Sequence, residues 1–327
     1  MRSSSPNGFA VVWITLSVLP VMTALQARPA AGNRDFTGRI IWISDRDGTP
    51  DIYTMDANGS QVERLTATPE AEEYPKASPD RSRVAFISNR SGKRELWVMP
   101  MTAGAPALQL TSSPQYLEVM EPDWSPDGGT IAYNVISINL RDPKAIQVVG
   151  EVWRMNADGS SAVRFIADPG LHFNPVFSPD GKQLLAVAND FTTYFDHPLA
   201  PFLLDAGGGR KRLTDGFDAH AAWCGSDHIV YVHFPADTTQ SAGIWRLGLA
   251  GRAPERLTPA EWKGSPRLPN ADPSGRWLLF TADPEGKPVV AGEPAYRHYN
   301  VFKLDLETRA LEQLTKDEHV DEGAWWY

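Results

Sequence analysis

The chain has 327 residues, 42% of them hydrophobic and 22% charged, a composition that excludes a largely disordered chain and a polytopic membrane protein. Its 31 lysines and arginines face 40 aspartates and glutamates, a net charge of −9, so a phosphate-backbone reader is excluded as an expectation and no nucleic-acid partner is foreseen. A single cysteine, Cys224, rules out an intrachain disulfide and a cysteine-rich zinc site.

Glycine (26) and proline (27) are abundant but follow no collagen-like period, the punctuation of many short elements joined by turns, which favours β architecture. At the N-terminus Arg2 precedes an uncharged run, Phe9 to Leu25. The run is slightly long for the apolar core of an export signal and slightly short for a membrane helix, and Pro20 weakens the helix reading. Small residues follow at Ala24, Ala27, Ala30 and Ala31. A signal peptide over residues 1–27, cut after Ala27, and a short linker over 28–38 are therefore expected; an uncleaved anchor is the alternative. Either way the body of the protein is expected outside the cytoplasm, periplasmic or secreted, with no membrane span once the signal is removed.

From residue 39 the chain repeats. YPKASPD (74–80), EPDWSPDG (121–128) and NPVFSPDG (174–181) are the clear copies; HAAWCGSD (220–227), LPNADPSG (268–275) and the terminal EGAWWY (322–327) are weaker ones. Their anchor positions, Ala77, Trp124, Phe177, Trp223, Ala271 and Trp325, are spaced by 47, 53, 46, 48 and 54 residues. Each copy leads into an apolar run such as VAFIS (84–88), with IIWIS (40–44) standing before all of them. A third strand follows, for example IYTM (52–55) or LWVM (96–99), and then a short fourth that ends in Leu-Thr in five copies. Four short strands per unit with turns between them is the pattern of a propeller blade.

The chain begins on a second strand and ends on a first. The spacing therefore predicts an all-β, six-bladed propeller of four-stranded blades over 39–327, its ring closed by pairing the C-terminal strand with the N-terminal three. Asp80, Asp127 and Asp180 of the SPDG segments read as turn residues, with Pro presetting φ and Asp bonding the following backbone. DRDG (45–48), DANG (56–59) and NADG (156–159) lack the further acidic ligands of a calcium loop and read as hairpin turns; Asn58 and Asn89 fit a glycosylation pattern but fall in these same turns.

The pattern W-S-P-D-G, I-A-F-x-S-x-R-x-G, I-Y-x-M-D-x-D-G, R-L-T resembles the TolB-type WD40-like repeat of bacterial envelope proteins, and residues 39–66 and 75–111 match it nearly in full. The resemblance covers 39–327. It implies the fold, an envelope location and a protein-binding face. TolB proteins carry an α/β domain ahead of the propeller, and this sequence is expected to lack it.

The segments leading into the first strands share one face with the loops between second and third strands. They hold 13 of the 40 carboxylates against Lys263, Arg267 and Lys316, so an acidic channel mouth is expected. Three residues before the anchors stand Tyr74, Glu121, Asn174, His220, Leu268 and Glu322, expected to point at the axis. His172, His220 and His319 fall on the same face and, with the carboxylates, are candidate ligands for a divalent cation, Ca, Mn or Zn. Oligogalacturonate lyases, built on similar repeats, hold a metal with histidines at the propeller mouth, but their propellers have seven blades and their His-rich first motif is not found here.

No G-x-S-x-G elbow, Walker loop or H-E-x-x-H is present. Cys224 reads as a small buried residue, and Trp42, Trp97, Trp153 and Trp245 as packing between blades. Trp262, in a lead-in loop, stands as a candidate partner anchor. The insertions 136–150 and 283–299 lengthen loops of the same face. The favoured reading is a monomeric, exported, non-enzymatic propeller that takes an envelope protein or peptide through Trp262, Glu121, His172, His220, Glu322 and Asn174. The alternative is a metal-dependent carbohydrate lyase or hydrolase.

Overall fold

The computed structural model describes residues 38–112, 114–139, 147–166, 171–189, 199–237, 240–284, 299–316 and 318–327. The expected signal, nearly all of the linker, and the middles of both insertions lie outside them. The described strands form six four-stranded antiparallel sheets. Blade 1 comprises Glu72–Ala77, Arg83–Ser88, Glu95–Pro100 and Leu108–Gln109, from inside to outside. Blade 2 comprises Glu118–Trp124, Thr130–Asn139, Gln147–Asn156 and Val163–Arg164, its middle hairpin the longest. The inner strands of blades 3, 4 and 5 are His172–Phe177, Phe217–Cys224 and Ser265–Ala271. Blade 6 takes its inner strand, Asp321–Trp326, from the C-terminus and the other three, Arg39–Ser44, Asp51–Asp56 and Glu63–Arg64, from the start of the repeat region. Each inner strand packs against the next, round to blade 1, so the ring is closed as the sequence predicts.

The register corrects one detail of the repeat. Ala77 pairs with Val84 as Trp326 pairs with Ile40, so the sixth anchor is Trp326 rather than Trp325. Adjacent tryptophans hid the one-residue slip, and strand pairing decides it, because a shift of one would reverse every side chain.

The conserved-looking phrases within the repeat resolve into hydrogen bonds. In the first of these turns, Ser78-Pro79-Asp80-Arg81, the Ser78 hydroxyl donates to Asp80 at 2.6 Å and accepts the Arg83 N–H at 3.0 Å. Ser125 with Asp127 and Ser178 with Asp180 repeat the arrangement, which holds the Asp80 carboxyl down at about 2 and the other two below their usual range. These aspartates are turn residues, as expected.

The Leu-Thr ending has its cause within the blade: Thr66 accepts the Ile52 N–H at 2.8 Å and donates to buried Asp51 at 3.0 Å, tying the fourth strand to the start of the third. Thr111 does the same for Leu96 and Glu95, and Thr315 for Val301 and Asn300. The S-x-R phrase builds a seat for an inner-strand carboxylate. Arg46 donates to Ser44 and to Asp321, and Arg90 to Ser88 and to Glu72, both carboxylates being fully buried.

Apolar packing fills the spaces between blades. Opposite one another on second and third strands stand Trp42 and Tyr53, Phe86 and Trp97, Tyr133 and Trp153, Tyr231 and Trp245, and Phe280 and Phe302. Phe280 and Phe302 stack with centroids 5.5 Å apart. Such cross-strand pairs help hold the hairpin register. Trp97, Trp153 and Trp245 share one third-strand position, whereas Trp42 belongs to the facing second strand.

Ending the chain at residue 320 removes the inner strand of blade 6 and leaves Arg39–Ser44 with an open edge. Loss of the cooperative melt and of the monomer peak in size exclusion is the expected result. A truncated chain that melts like the full one contradicts closure by this strand.

Candidate functional site at the channel mouth

Every inner strand carries a bulge between its lower and upper halves. At each bulge one residue adopts a left-handed backbone: Tyr74, Glu121, Asn174, His220 and Leu268 with φ between 49° and 52°, and Gly323 with φ 66°. L-residues pay about 1 kcal/mol or more for this conformation, and five non-glycines hold it because pairing on both sides over-determines it. The bulge turns these side chains off the pleat and into one tier. Five of the six positions singled out in the sequence carry this left-handed backbone. In the sixth blade the member is Gly323, and Glu322 stands one place earlier, paired with Arg267 at 2.9 Å.

Two residues further along each strand is a second tier: Lys76, Asp123, Val176, Ala222, Asn270 and Trp325. The tiers are stitched from blade to blade. Glu121 accepts the Asn174 N–H at 2.6 Å, Asp123 the Phe177 N–H at 2.8 Å, and Asn270 the Trp326 N–H at 3.4 Å. Asn174 donates its side-chain amide to the Ala221 carbonyl at 2.8 Å. Trp124 donates its indole N–H to the carbonyl of Lys76 and Trp223 to that of Val176.

Burial dominates the titration of these groups. It pushes Glu121 up to about 7 and Asp123 up to about 6, against the lowering pull of their backbone donors and of Lys76. It drives His220 down to about 3, with Arg267 adding repulsion, so the imidazole is neutral across the physiological range. Lys76 is held well below an ordinary amine because burial outweighs attraction to Asp123 and Glu121. Tyr74 is raised by burial and by Glu121, Glu73 and Glu322.

The expected acidic rim is mixed in charge. Arg94, from the loop between second and third strands, sits between Glu73 at 2.7 Å and Glu118 at 3.0 Å. Arg90 and Arg46 serve Glu72 and Asp321, and His233 lies 2.6 Å from buried Asp218. The count of lead-in residues missed these cations because they come from the facing hairpins.

The three candidate metal ligands fall at different levels. His172 is 1% exposed in its inner strand, His220 is in the first tier, and His319 lies in a lead-in loop 3.5 Å from Asp45. Among the described residues no group of three or more His, Cys, Asp or Glu side chains is arranged to hold a metal ion. Trp262 folds back from its loop, edge-on to Phe280 at 5.6 Å and Phe302 at 5.8 Å, and packs on the core. A Cβ on Gly264 would lie 2.3 Å from that indole, so glycine is what admits the fold-back. Cys224 is buried, its thiol pushed up to about 11 by burial.

Glu121 and Asp123 are raised in the folded state, so folding takes up protons above their unfolded values and stability falls as pH rises through about 6 to 7. Glu121→Gln keeps an acceptor for Asn174 and removes the Glu121 share of that dependence. The variant is expected to gain about 1–3 kcal/mol over the parent at pH 8 and little at pH 5, measured by urea unfolding at both. Equal differences at the two pH values contradict the burial of this carboxyl.

Residues 34–149 match the family described as TolB beta propeller domain. A TolB homolog of Chlorobium luteolum is 25% identical over 177 residues, 54% of this chain and 36% of its own length. The chain's matches thus span about a third of the curated relatives. TolB from Acinetobacter baumannii superposes with a TM-score of 0.67 at 18% identity, over 89% of this chain and 67% of that one. Oligogalacturonate lyase from Vibrio parahaemolyticus gives 0.56 at 11%, over 84% and 74%; both structural likenesses concern the fold alone. The turn, S-x-R and Leu-Thr residues that carried the resemblance are the same ones that build the blades: this chain is a six-bladed propeller whose repeats are similar to those of TolB, by a family model over residues 34–149.

Proposed function

We propose that the protein is an exported, non-enzymatic propeller that binds a protein or peptide in the bacterial envelope at its channel mouth. The observation that carries this reading is the closed double tier of inner-strand side chains. It offers backbone-stitched hydrogen-bonding groups and mixed charge around an axis, the chemistry of a recognition surface rather than of a nucleophile and its base. Export rests on the N-terminal run, and the envelope on likeness to proteins named Tol-Pal system protein TolB. Two of the exposed large apolar residues, Leu117 at 48% and Phe217 at 46%, lie at the entrances of inner strands on this face. Exposed apolar side chains beside paired charges suit a contact surface.

Photo-crosslinking residues at 117 and 217, set against residues at Asp127 and Asp180 in the turns at the other ends of the strands, test the reading. One crosslinked species from a matched envelope extract, formed at the first pair and absent at the second, is expected. Equal capture at both ends, or capture only at the turns, overturns it.

A further inference from the structure

Lys76 is the one lysine of the two tiers. It is 6% exposed, and among the described residues no acceptor lies within hydrogen-bonding distance of its amine. The two carboxyls nearest in charge are directed elsewhere: Glu121 accepts from Asn174 and Asp123 from Phe177, both on blade 3. The Trp325 indole lies against the amine and supplies a π face but no lone pair. A buried amine thus has its hydrogen-bonding capacity unmet, a costly arrangement for a polar group. The equivalent positions of the other blades hold Asp123, Val176, Ala222, Asn270 and Trp325, so the repeat does not require a lysine there.

We propose that Lys76 is the seat for a carboxylate carried into the channel by the bound peptide. The inference rests on the mouth-binding reading above. A carboxylate satisfies the amine with a charge-assisted hydrogen bond and turns its desolvation from a cost into pairing. The neighbouring Glu121 and Asp123 oppose such a ligand only when ionised, and their charge is drawn toward the backbone of blade 3. The free amine is depressed by burial, and a bound carboxylate raises it, so binding takes up a proton and tightens as pH falls. Protonation of Glu121 and Asp123 acts in the same direction.

The test uses the full mature chain and three probes: N-acetyl trialanine with a free C-terminal carboxylate, the same peptide amidated, and the amidated peptide with glutamate at its centre. Calorimetric titration at pH 6 and pH 8 is expected to show about tenfold tighter binding for a carboxylate-bearing probe than for the neutral one, larger at pH 6. Whether the terminal or the side-chain carboxylate is preferred identifies the source. Lys76→Met, close in volume, should abolish the preference. Lys76→Arg, always charged, should keep the preference and lose most of the proton uptake, and it decides the matter if the methionine variant fails to fold. Equal affinity for all three probes, or a preference that survives Lys76→Met, overturns the proposal. Mouth-specific crosslinking alongside equal probe affinities discards the lysine seat alone, whereas a carboxylate preference without mouth-specific crosslinking discards the protein-binding reading.

Discussion

The antiparallel pairing of Asp321–Trp326 with Arg39–Ser44 is the constraint on which the molecule depends. A stack of six sheets without it would expose two free edges and have no axis, and its inner-strand side chains would face solvent singly. With it, each inner strand has a neighbour on both sides, and buried polar groups find backbone partners across blade boundaries. Blade 6 is assembled from both ends of the repeat region, so its contacts are also the most distant in sequence. Trp42, for example, donates to Asp321 at 3.0 Å across 279 positions. Closing a loop that long carries a chain-entropy cost that the contacts of this strand must offset.

The second organising element is the bulge. A regular strand would send alternate side chains to the two faces of the blade, leaving little aimed at the axis. The left-handed residue breaks that alternation once per strand and creates the first tier. Because all six blades share it, the strain is architectural and marks no single residue as catalytic. The individual information lies in what the six positions carry: a phenol, a carboxyl, an amide, an imidazole, an isobutyl group and no side chain at all.

Legibility in the sequence followed the range of the interactions. The turns are fixed by residues within five positions of one another and the Leu-Thr endings by bonds to the strand just before them, about fifteen positions back, and both recur in register with the repeat. Five of six first-tier positions were legible for the same reason, since they stand at constant distance from a turn. Trp325 and Trp326 were not separable, because only pairing with Ile40 and Ile41 distinguishes them. Counting lead-in segments alone left out Arg46, Arg90 and Arg94, which meet the mouth carboxylates from the other loop set. Trp262 read as a projecting anchor because nothing local shows that Gly264 lets the ring turn back onto Phe280 and Phe302.

The S-x-R seats sharpen where specificity can reside. Asp321 and Glu72 occupy the same inner-strand position and receive Arg46 and Arg90, two solutions of one structural problem: a buried carboxylate needs a cation with several donors. Asp218 is their equivalent in blade 4 and receives His233 instead, so its partner carries a charge only when protonated. His172 takes the place in blade 3, opposite Ala188, where the second strand offers no side-chain oxygen. The blades thus diverge from the repeat at two levels, this buried layer and the second tier that holds Lys76. Substitutions in the buried layer alter how firmly a blade is tied. Substitutions in the tiers alter which groups the inner strands present, while the turns and strand ends keep the ring intact.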